Sequence, residues 1–331
     1  MKIAIVKLSA LGDIVHAMIV LQFIKKYNQS IQIDWIVEER YKNLLEFNPD
    51  IDKVHVINIK KAKQEKSIYL LLSELKKLRN LGPYDLVIDM QGLLKSAVIA
   101  RLIPSPITLG FDKFSIRESI ASIFYNKTFN CRYDKNIIER NLALAEFAFG
   151  IKIIKTQIKN KHPFLYSNKK YFIDNLLKIK NNVLLIPGAS HKTKCYPVTN
   201  LAELTTLLDA NFFIIWGNQK EKKLADKLKC LSPNINVCEK LSIDLLIPLI
   251  SQMNLIIGPD TGPTHMGWAL NIPSITLFGP TPGDRNSFVT KVNKIIESNS
   301  LVNPFKIDKN DYSIKEISVQ EIQKISKELL R

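Results

Sequence analysis

The chain opens "MKIAIVKLSALGDIVHAMIVL", Met1 to Leu21, and the order of residue types in this stretch sets the fold class. Residues 2–6, KIAIV, form the short continuous apolar run of a strand buried on both faces. Residues 13–27, DIVHAMIVLQFIKKY, then read as a helix, so the opening is a strand, a turn at Gly12 and a helix. This is the first half of a βα unit. The turn lacks the G-x-G-x-x-G of a dinucleotide site. In its place stands a carboxylate, Asp13, with His16 one helical turn further on.

The same alternation runs outward from there. IQIDWIVEE (31–39) and VHVINI (54–59) read as strands, SIYLLLSELKKLRNLG (67–82) as a helix ended by Gly82, and YDLVIDMQG (84–92) as a strand whose end carries Asp89 and Gln91. A Lys- and Asn-rich stretch, residues 152–170, reads as an interdomain connection. Beyond it NVLLIPGAS (182–190), NFFIIWG (211–217), NINVC (234–238), NLIIGPD (254–260) and SITLFGP (274–280) read as strands. Helical patterns at 199–210, 220–229, 242–252 and 263–271 separate them. Two successive series of this kind predict an α/β protein of two facing, Rossmann-like, doubly wound domains with a cleft between them. The expected boundaries are 1–160, 161–312, and a terminal helical segment, 313–331, that could pack on either domain, including back on the first. Ligands in such sheets bind beyond the C-terminal ends of the strands.

Composition narrows the classes. The 331 residues include 47 Lys plus Arg against 31 Asp plus Glu, a net charge of +16, which favours polyanions, anionic head groups or phosphorylated small molecules as partners. A solvated, Lys-rich surface is the other reading of that excess. Cys131, Cys195, Cys230 and Cys238 have neither C-x-x-C nor zinc-ligand spacing, so neither a metal nor a disulfide framework is expected, and a reducing cytoplasm fits. Lys7 and Asp13 interrupt the apolar N-terminus and no small-residue cleavage site follows, so no signal peptide is expected. No stretch approaches the roughly 18 apolar residues of a membrane span. A P-loop and a G-x-S-x-G elbow are both missing, which disfavours ATPases and serine hydrolases.

Three strand-end loops carry chemistry. In "GPDTGPTHMGWAL", Gly258 to Leu270, Pro263 sits where a helix begins, and free amides of that first turn aim at an anion. Thr261 offers a hydroxyl, Gly262 permits close approach, and His265 falls in the first turn; an ordinary strand-turn-helix with Asp260 as its N-cap is the alternative. "IPGASHKTKCYP", Ile186 to Pro197, combines Gly188, Ser190, His191, Lys192 and Lys194, fit for phosphate or simply a solvated loop. In "WGNQKEKKL", Glu221 could accept from ribose hydroxyls or be an exposed helix-start residue.

Taken together, "IVKLSALGDIVHA", "DWIVEE" (34–39), "VIDMQGLLKSA" (87–97), "RESIASIFYN" (117–126) and "DTGPTHMGWAL" followed by "LFGPT" resemble the lipopolysaccharide core heptosyltransferases, GT-B-type glycosyltransferases, over nearly the whole chain. The runs at Asp89–Ser96 and Arg117–Ser122 favour the heptosyltransferase I branch over heptosyltransferase II. The resemblance implies inverting transfer of L-glycero-D-manno-heptose from ADP-L-glycero-β-D-manno-heptose to Kdo of Kdo2-lipid A, with no cofactor. It implies Asp13 as general base. Ser190, Lys194, Glu221, Leu241, Asp260, Thr261, Gly262 and His265 would hold the donor, with Lys194 on the phosphates and Glu221 on the ribose. Lys60, Lys61, Lys63 and Arg117 would meet the anionic acceptor. Where relatives carry paired threonines this chain has Ala189-Ser190, and its basic run ends in Gln64.

His16 either orients the acceptor or is a half-buried helix histidine. No D-x-D pair lies in a loop placed to serve the site, so metal independence is expected. A phosphorylated lipid acceptor also accounts for the basic balance: Lys60, Lys61, Lys63, Lys95 and Arg117 would hold a cytoplasmic, peripheral, monomeric enzyme on the anionic inner leaflet of the inner membrane. A nucleotide-sugar epimerase is the competing enzyme class. A nucleic-acid-binding protein is disfavoured because aromatic and basic residues do not interleave.

Overall fold

The computed structural model describes residues 1–59, 64–172 and 180–331. The chain divides into two compact units, Met1–Tyr166 and Ser167–Arg331.

In the first unit six parallel strands are ordered β3-β2-β1-β4-β5-β6. They are β1 (Lys2–Val6), β2 (Gln32–Glu38), β3 (Lys53–Ile57), β4 (Leu86–Asp89), β5 (Thr108–Phe111) and β6 (Lys127–Phe129). The central β1 pairs Ile3 with Ile33 on one side and with Leu86 on the other. Both its faces are covered, which is why its sequence is a run rather than an alternation. Helices of eight residues or more are α1 (Leu11–Tyr27), α2 (Ile68–Arg79), α3 (Leu94–Leu102) and α4 (Ile137–Phe149). Every residue of α1 from Ile14 to Leu21 is buried, and the helix packs on α4. Helix α4 begins where the Asn136 side chain accepts from the Ile138 and Glu139 amides and ends at Gly150 in the left-handed region, φ +66°. Helix α2 stops at Arg79, short of the Gly82 read from sequence as its end, because the Asn80 amide already closes it onto Lys77 and Leu78.

The second unit repeats the plan. Strands β7 (Asn181–Leu185), β8 (Ala210–Ile214), β9 (Asn236–Val237), β10 (Leu255–Pro259), β11 (Ser274–Phe278) and β12 (Asn293–Glu297) form a parallel sheet ordered β12-β11-β10-β7-β8-β9. Its longer helices are α5 (Val198–Leu207), α6 (Gln219–Leu231), α7 (Ile243–Ile250), α8 (Gly262–Ala269) and α9 (Val319–Leu329). The last helix belongs to the second unit. Its buried stripe, Val319, Ile322 and Ser326, follows helical spacing and joins the core formed with Leu201 and Leu204. Two hydrogen bonds fix it there: Gln323 Nε2 donates to the Leu207 carbonyl at 2.8 Å, and the Tyr196 hydroxyl to the Ile317 carbonyl at 2.7 Å.

Both sheets carry the doubly wound order 3-2-1-4-5-6, so each has one point where the direction of winding reverses. In the first unit this lies between β1 and β4, and in the second between β7 and β10. No described helix is long and apolar enough to cross a membrane.

Candidate functional site

At the first switch point the loop leaving β1 is tied to the loop leaving β4. Gln91 Oε1 accepts from the Leu8 amide at 2.8 Å and the Ser9 amide at 3.3 Å, and Lys7 Nζ donates to the Met90 carbonyl at 3.0 Å. Gln91 is itself held by Asp89, a fully buried carboxylate. Asp89 Oδ1 accepts from the Gln91 and Gly92 amides at 2.8 and 3.3 Å, and Oδ2 from Ser96 Oγ and the Tyr125 hydroxyl, both at 2.7 Å. Burial pushes the Asp89 carboxyl above its ordinary range against the pull of these four donors. Two glycines make the arrangement possible. Gly92 adopts φ +68°, and any Cβ at Gly110 would collide with the Tyr125 ring.

This framework delivers Asp13 to the first turn of α1, exposed, with Oδ2 accepting from the Ala10 amide at 3.2 Å. A carboxylate there also faces the positive end of the helix dipole. His16 is only 4% exposed, one turn further into α1, and is a core residue rather than a surface one. Arg117 is exposed. Lys95 is not a free surface cation: its Nζ pairs with Glu38 Oε1 at 2.5 Å, while Arg40 lies 3.3 Å from Glu38 Oε2. Lys60, Lys61 and Lys63 lie outside the described residues.

The second switch point is built around Asp260, at the end of β10. Its Oδ2 pairs with Lys194 Nζ at 2.8 Å and accepts from Thr281 Oγ1 at 3.1 Å and Asn286 Nδ2 at 3.3 Å; Oδ1 lies 2.8 Å from His265 Nε2. Both members of the Lys194 pair are about one-tenth exposed. Burial alone would raise the Asp260 carboxyl; Lys194 and His265 together hold it well below the usual carboxylate range. The sequence alternative of Asp260 as N-cap is therefore not what forms. Thr261 is the N-cap of α8, and Asp260 turns instead to the cations beside it. Thr264 Oγ1 donates to the Pro259 carbonyl at 2.8 Å and meets Thr261 Oγ1 at 3.2 Å, so the first turn of α8 is fixed with its amides open.

Glu221 comes to the same end of the sheet. Its Oε2 accepts from the Gly217 amide and its Oε1 from Asn218 Nδ2, both at 2.7 Å, at the start of α6. A Cβ at Gly188 would overlap the Glu221 side chain, so that glycine is required for the β7 loop to lie against it. Ser190 is exposed, and Gly262 and Leu241 are half-buried, Leu241 just ahead of α7. Among the described residues no group of three or more His, Cys, Asp or Glu side chains is placed to hold a metal ion.

The family resemblance groups Lys194, Asp260 and His265 in one donor site; the fold adds the direct bonds of Lys194 and His265 to Asp260. Sequence reading had not found the roles of Gln91, Asp89, Tyr125 or Asn286. In sequence Asp89 and Gln91 are only the polar end of a strand, and the backbone amides that Gln91 binds are 82 and 83 residues away.

Known proteins match this architecture throughout. The structure is similar to E. coli heptosyltransferase WaaC with ADP-2-deoxy-2-fluoro heptose, with a TM-score of 0.79 and 23% identity over 99% of each chain. It is also similar to E. coli ADP-heptose lps heptosyltransferase II, with a TM-score of 0.74 and 19% identity over 100% of this chain and 98% of the other. Two units of this order, with these matches, define the fold of a GT-B-type glycosyltransferase. In sequence, the chain is 40% identical to lipopolysaccharide heptosyltransferase 1 of Campylobacter coli over 99% of both chains, and 28% identical to that of E. coli K12 over 86% of this chain and 89% of the relative. With residues 72–311 also matching the family model, the chain belongs to glycosyltransferase family 9, the heptosyltransferases.

Proposed function

We propose that the chain transfers L-glycero-D-manno-heptose from ADP-L-glycero-β-D-manno-heptose to Kdo of Kdo2-lipid A, as heptosyltransferase I in lipopolysaccharide core synthesis, with inversion at the anomeric carbon. The observation that carries this reading is the contrast between the two switch points. One gathers Lys194, His265 and the open amides of α8 around a single carboxylate, an environment suited to a diphosphate. The other presents an exposed carboxylate, Asp13, on a loop stitched in place by Gln91. The 40% identity to a heptosyltransferase 1 along the whole chain supports the choice of branch.

In this mechanism Asp13 takes the proton from the acceptor hydroxyl as its oxygen attacks the anomeric carbon. The bond from that carbon to the β-phosphate oxygen breaks, and ADP leaves with the electron pair. Lys194 and the α8 amides stabilise the developing charge, so the transfer runs without a divalent ion. Ser190, Glu221, Leu241, Thr261 and Gly262 complete the donor site, with Glu221 on the ribose; Arg117 and the Lys60, Lys61, Lys63 run meet the acceptor's anionic groups. The enzyme works as a monomer on the cytoplasmic face of the inner membrane.

The test incubates the protein with ADP-heptose, excess EDTA and either Kdo2-lipid A or an acceptor that already carries one heptose. Transfer to the first acceptor is expected, falling ~10²–10⁴-fold in Asp13→Asn with the fold intact. Transfer to the second acceptor alone would make the chain heptosyltransferase II, turnover of donor without acceptor would make it an epimerase, and an undiminished variant would remove Asp13 as the base.

A further inference from the structure

The chain between β5 and β6 exposes large apolar side chains on an ordered scaffold. Phe114 is 75% exposed, Ile120 57% and Ile123 71%. Ile120 and Ile123 lie in a 3₁₀ turn, Ser119–Phe124, where residues three apart eclipse on one face. Leu94, partly exposed at the start of α3, adjoins them, because its amide donates to Glu118 Oε2 at 2.7 Å.

The segment is anchored from beneath. Ser115 and Ala121 are fully buried, Ser115 Oγ donates to Asp112 Oδ1 at 2.6 Å and accepts from the Cys131 amide at 2.8 Å, and Arg140 Nη2 donates to the Ser115 carbonyl at 2.7 Å. Its two acids hold local hydrogen bonds: Asp112 takes these bonds together with that of Asn130, and Glu118, itself exposed, caps α3. Its two cations face out. Lys113 lies 5.0 Å from the Phe114 ring centroid and Arg117 is exposed; neither pairs with a carboxylate among the described residues. Isolated exposed apolar residues are ordinary, but an apolar centre flanked by unpaired cations matches the cross-section of an anionic bilayer surface.

We propose that residues 113–124 form a membrane-docking wedge: Phe114, Ile120 and Ile123 enter the interfacial layer of an anionic bilayer, while Lys113 and Arg117 meet its phosphate groups. The choice of a lipid surface over an acidic protein rests on the reading of the acceptor as lipid-borne. The wedge also differs from a purely lysine-based attraction, because its apolar part survives salt.

The test uses the full chain and vesicles of phosphatidylethanolamine with phosphatidylglycerol, containing no acceptor, beside neutral phosphatidylcholine vesicles. The native chain is expected to partition to the anionic vesicles at least tenfold more strongly than the triple variant Phe114→Ser, Ile120→Ser, Ile123→Ser. Part of that difference persists at 0.5 M salt, and Ile123→Trp gives a blue-shifted emission on the vesicles. Transfer to a deacylated, water-soluble acceptor is expected to stay within twofold in the triple variant, so this readout reports the proposed activity separately from docking. Equal partitioning of native and triple variant, or a native dimer in solution that the triple variant dissociates without any vesicle binding, would overturn the wedge.

Discussion

Replacing Gln91 by methionine keeps the length of the side chain and removes the acceptor that closes the first switch point. Two amides lose their partner, those of Leu8 and Ser9. Leu8 is fully buried, so its stranded N–H costs about 1–3 kcal/mol; Ser9 is half-buried, and its N–H, open to water, loses about 0.5–1.5 kcal/mol. A total of about 1.5–4.5 kcal/mol lowers the melting transition of the 166-residue first unit by about 3–18 °C. The catalytic effect follows from position, since these two residues lead directly into the turn that carries Asp13. A shift of the order of 1 Å at a reacting group costs about 10²-fold, so kcat should fall ~10–100-fold. The KM for ADP-heptose should stay within twofold, because no described hydrogen bond of Gln91 reaches a residue of the proposed donor site. Gln91→Glu keeps an acceptor oxygen in place and should recover part of kcat. The assay is product formation by mass spectrometry with saturating acceptor, beside thermal unfolding. A Gln91→Met enzyme that melts earlier yet retains kcat within twofold, or one whose loss appears in the donor KM alone, would refute the reasoning.

Asp260→Asn leaves Lys194 and His265 without the carboxylate between them and should destabilise the protein by about 3–5 kcal/mol, part of which Lys194→Met recovers in the double variant; calorimetry should show ADP binding weakened in both. Because the Asp260 carboxyl is held below its ordinary value, its stabilisation is complete above about pH 4 and is lost only as pH falls through the lowered native value, so urea midpoints of Asp260→Asn should depend less on pH at the acid limb. Lys161 lines a groove beside the end of α1, and burial lowers its ammonium to about 7. The unfolded chain therefore binds more protons than the native one between pH 7 and about 10.5, and native stability rises across that window. Lys161→Met should melt higher than the native protein at pH 7, and the difference should shrink toward pH 10.5; a constant difference would sink the idea.

The strands that could be read from sequence are those whose burial is written in their own residues. KIAIV and the runs giving β7, β8, β10 and β11 are predominantly apolar because both faces are covered. Strands β5, TLGF, and β6, KTF, are too short and too mixed to show a pattern, and lie toward the edge of the sheet, where neighbours supply the pairing. Helix α4 did carry signals at both ends, Asn136 and Gly150, that mark its span. The loops of the proposed donor site were legible because glycine, proline and lysine have local meaning at strand ends. The joining of Lys194 to Asp260, 66 residues apart, was not, since it depends on β7 and β10 becoming neighbours. Asp89 reads as a polar end to an apolar strand; its burial beneath Tyr125 depends on Gly110, whose only function visible here is to leave space.

The repetition of one strand order in the two units bears on how such an enzyme varies over generations. Each switch point is closed by bonds from its own half of the chain: Gln91 to Leu8 and Ser9 in one, Lys194 and His265 to Asp260 in the other. Under the proposed assignment of the sugar nucleotide to the second unit and the acceptor to the first, drift or selection acting on sugar-nucleotide preference leaves the stitching around Asp13 untouched, and the converse holds for the acceptor side. A recombination falling between Tyr166 and Ser167 exchanges an entire switch point with its closing bonds without cutting a strand of either sheet.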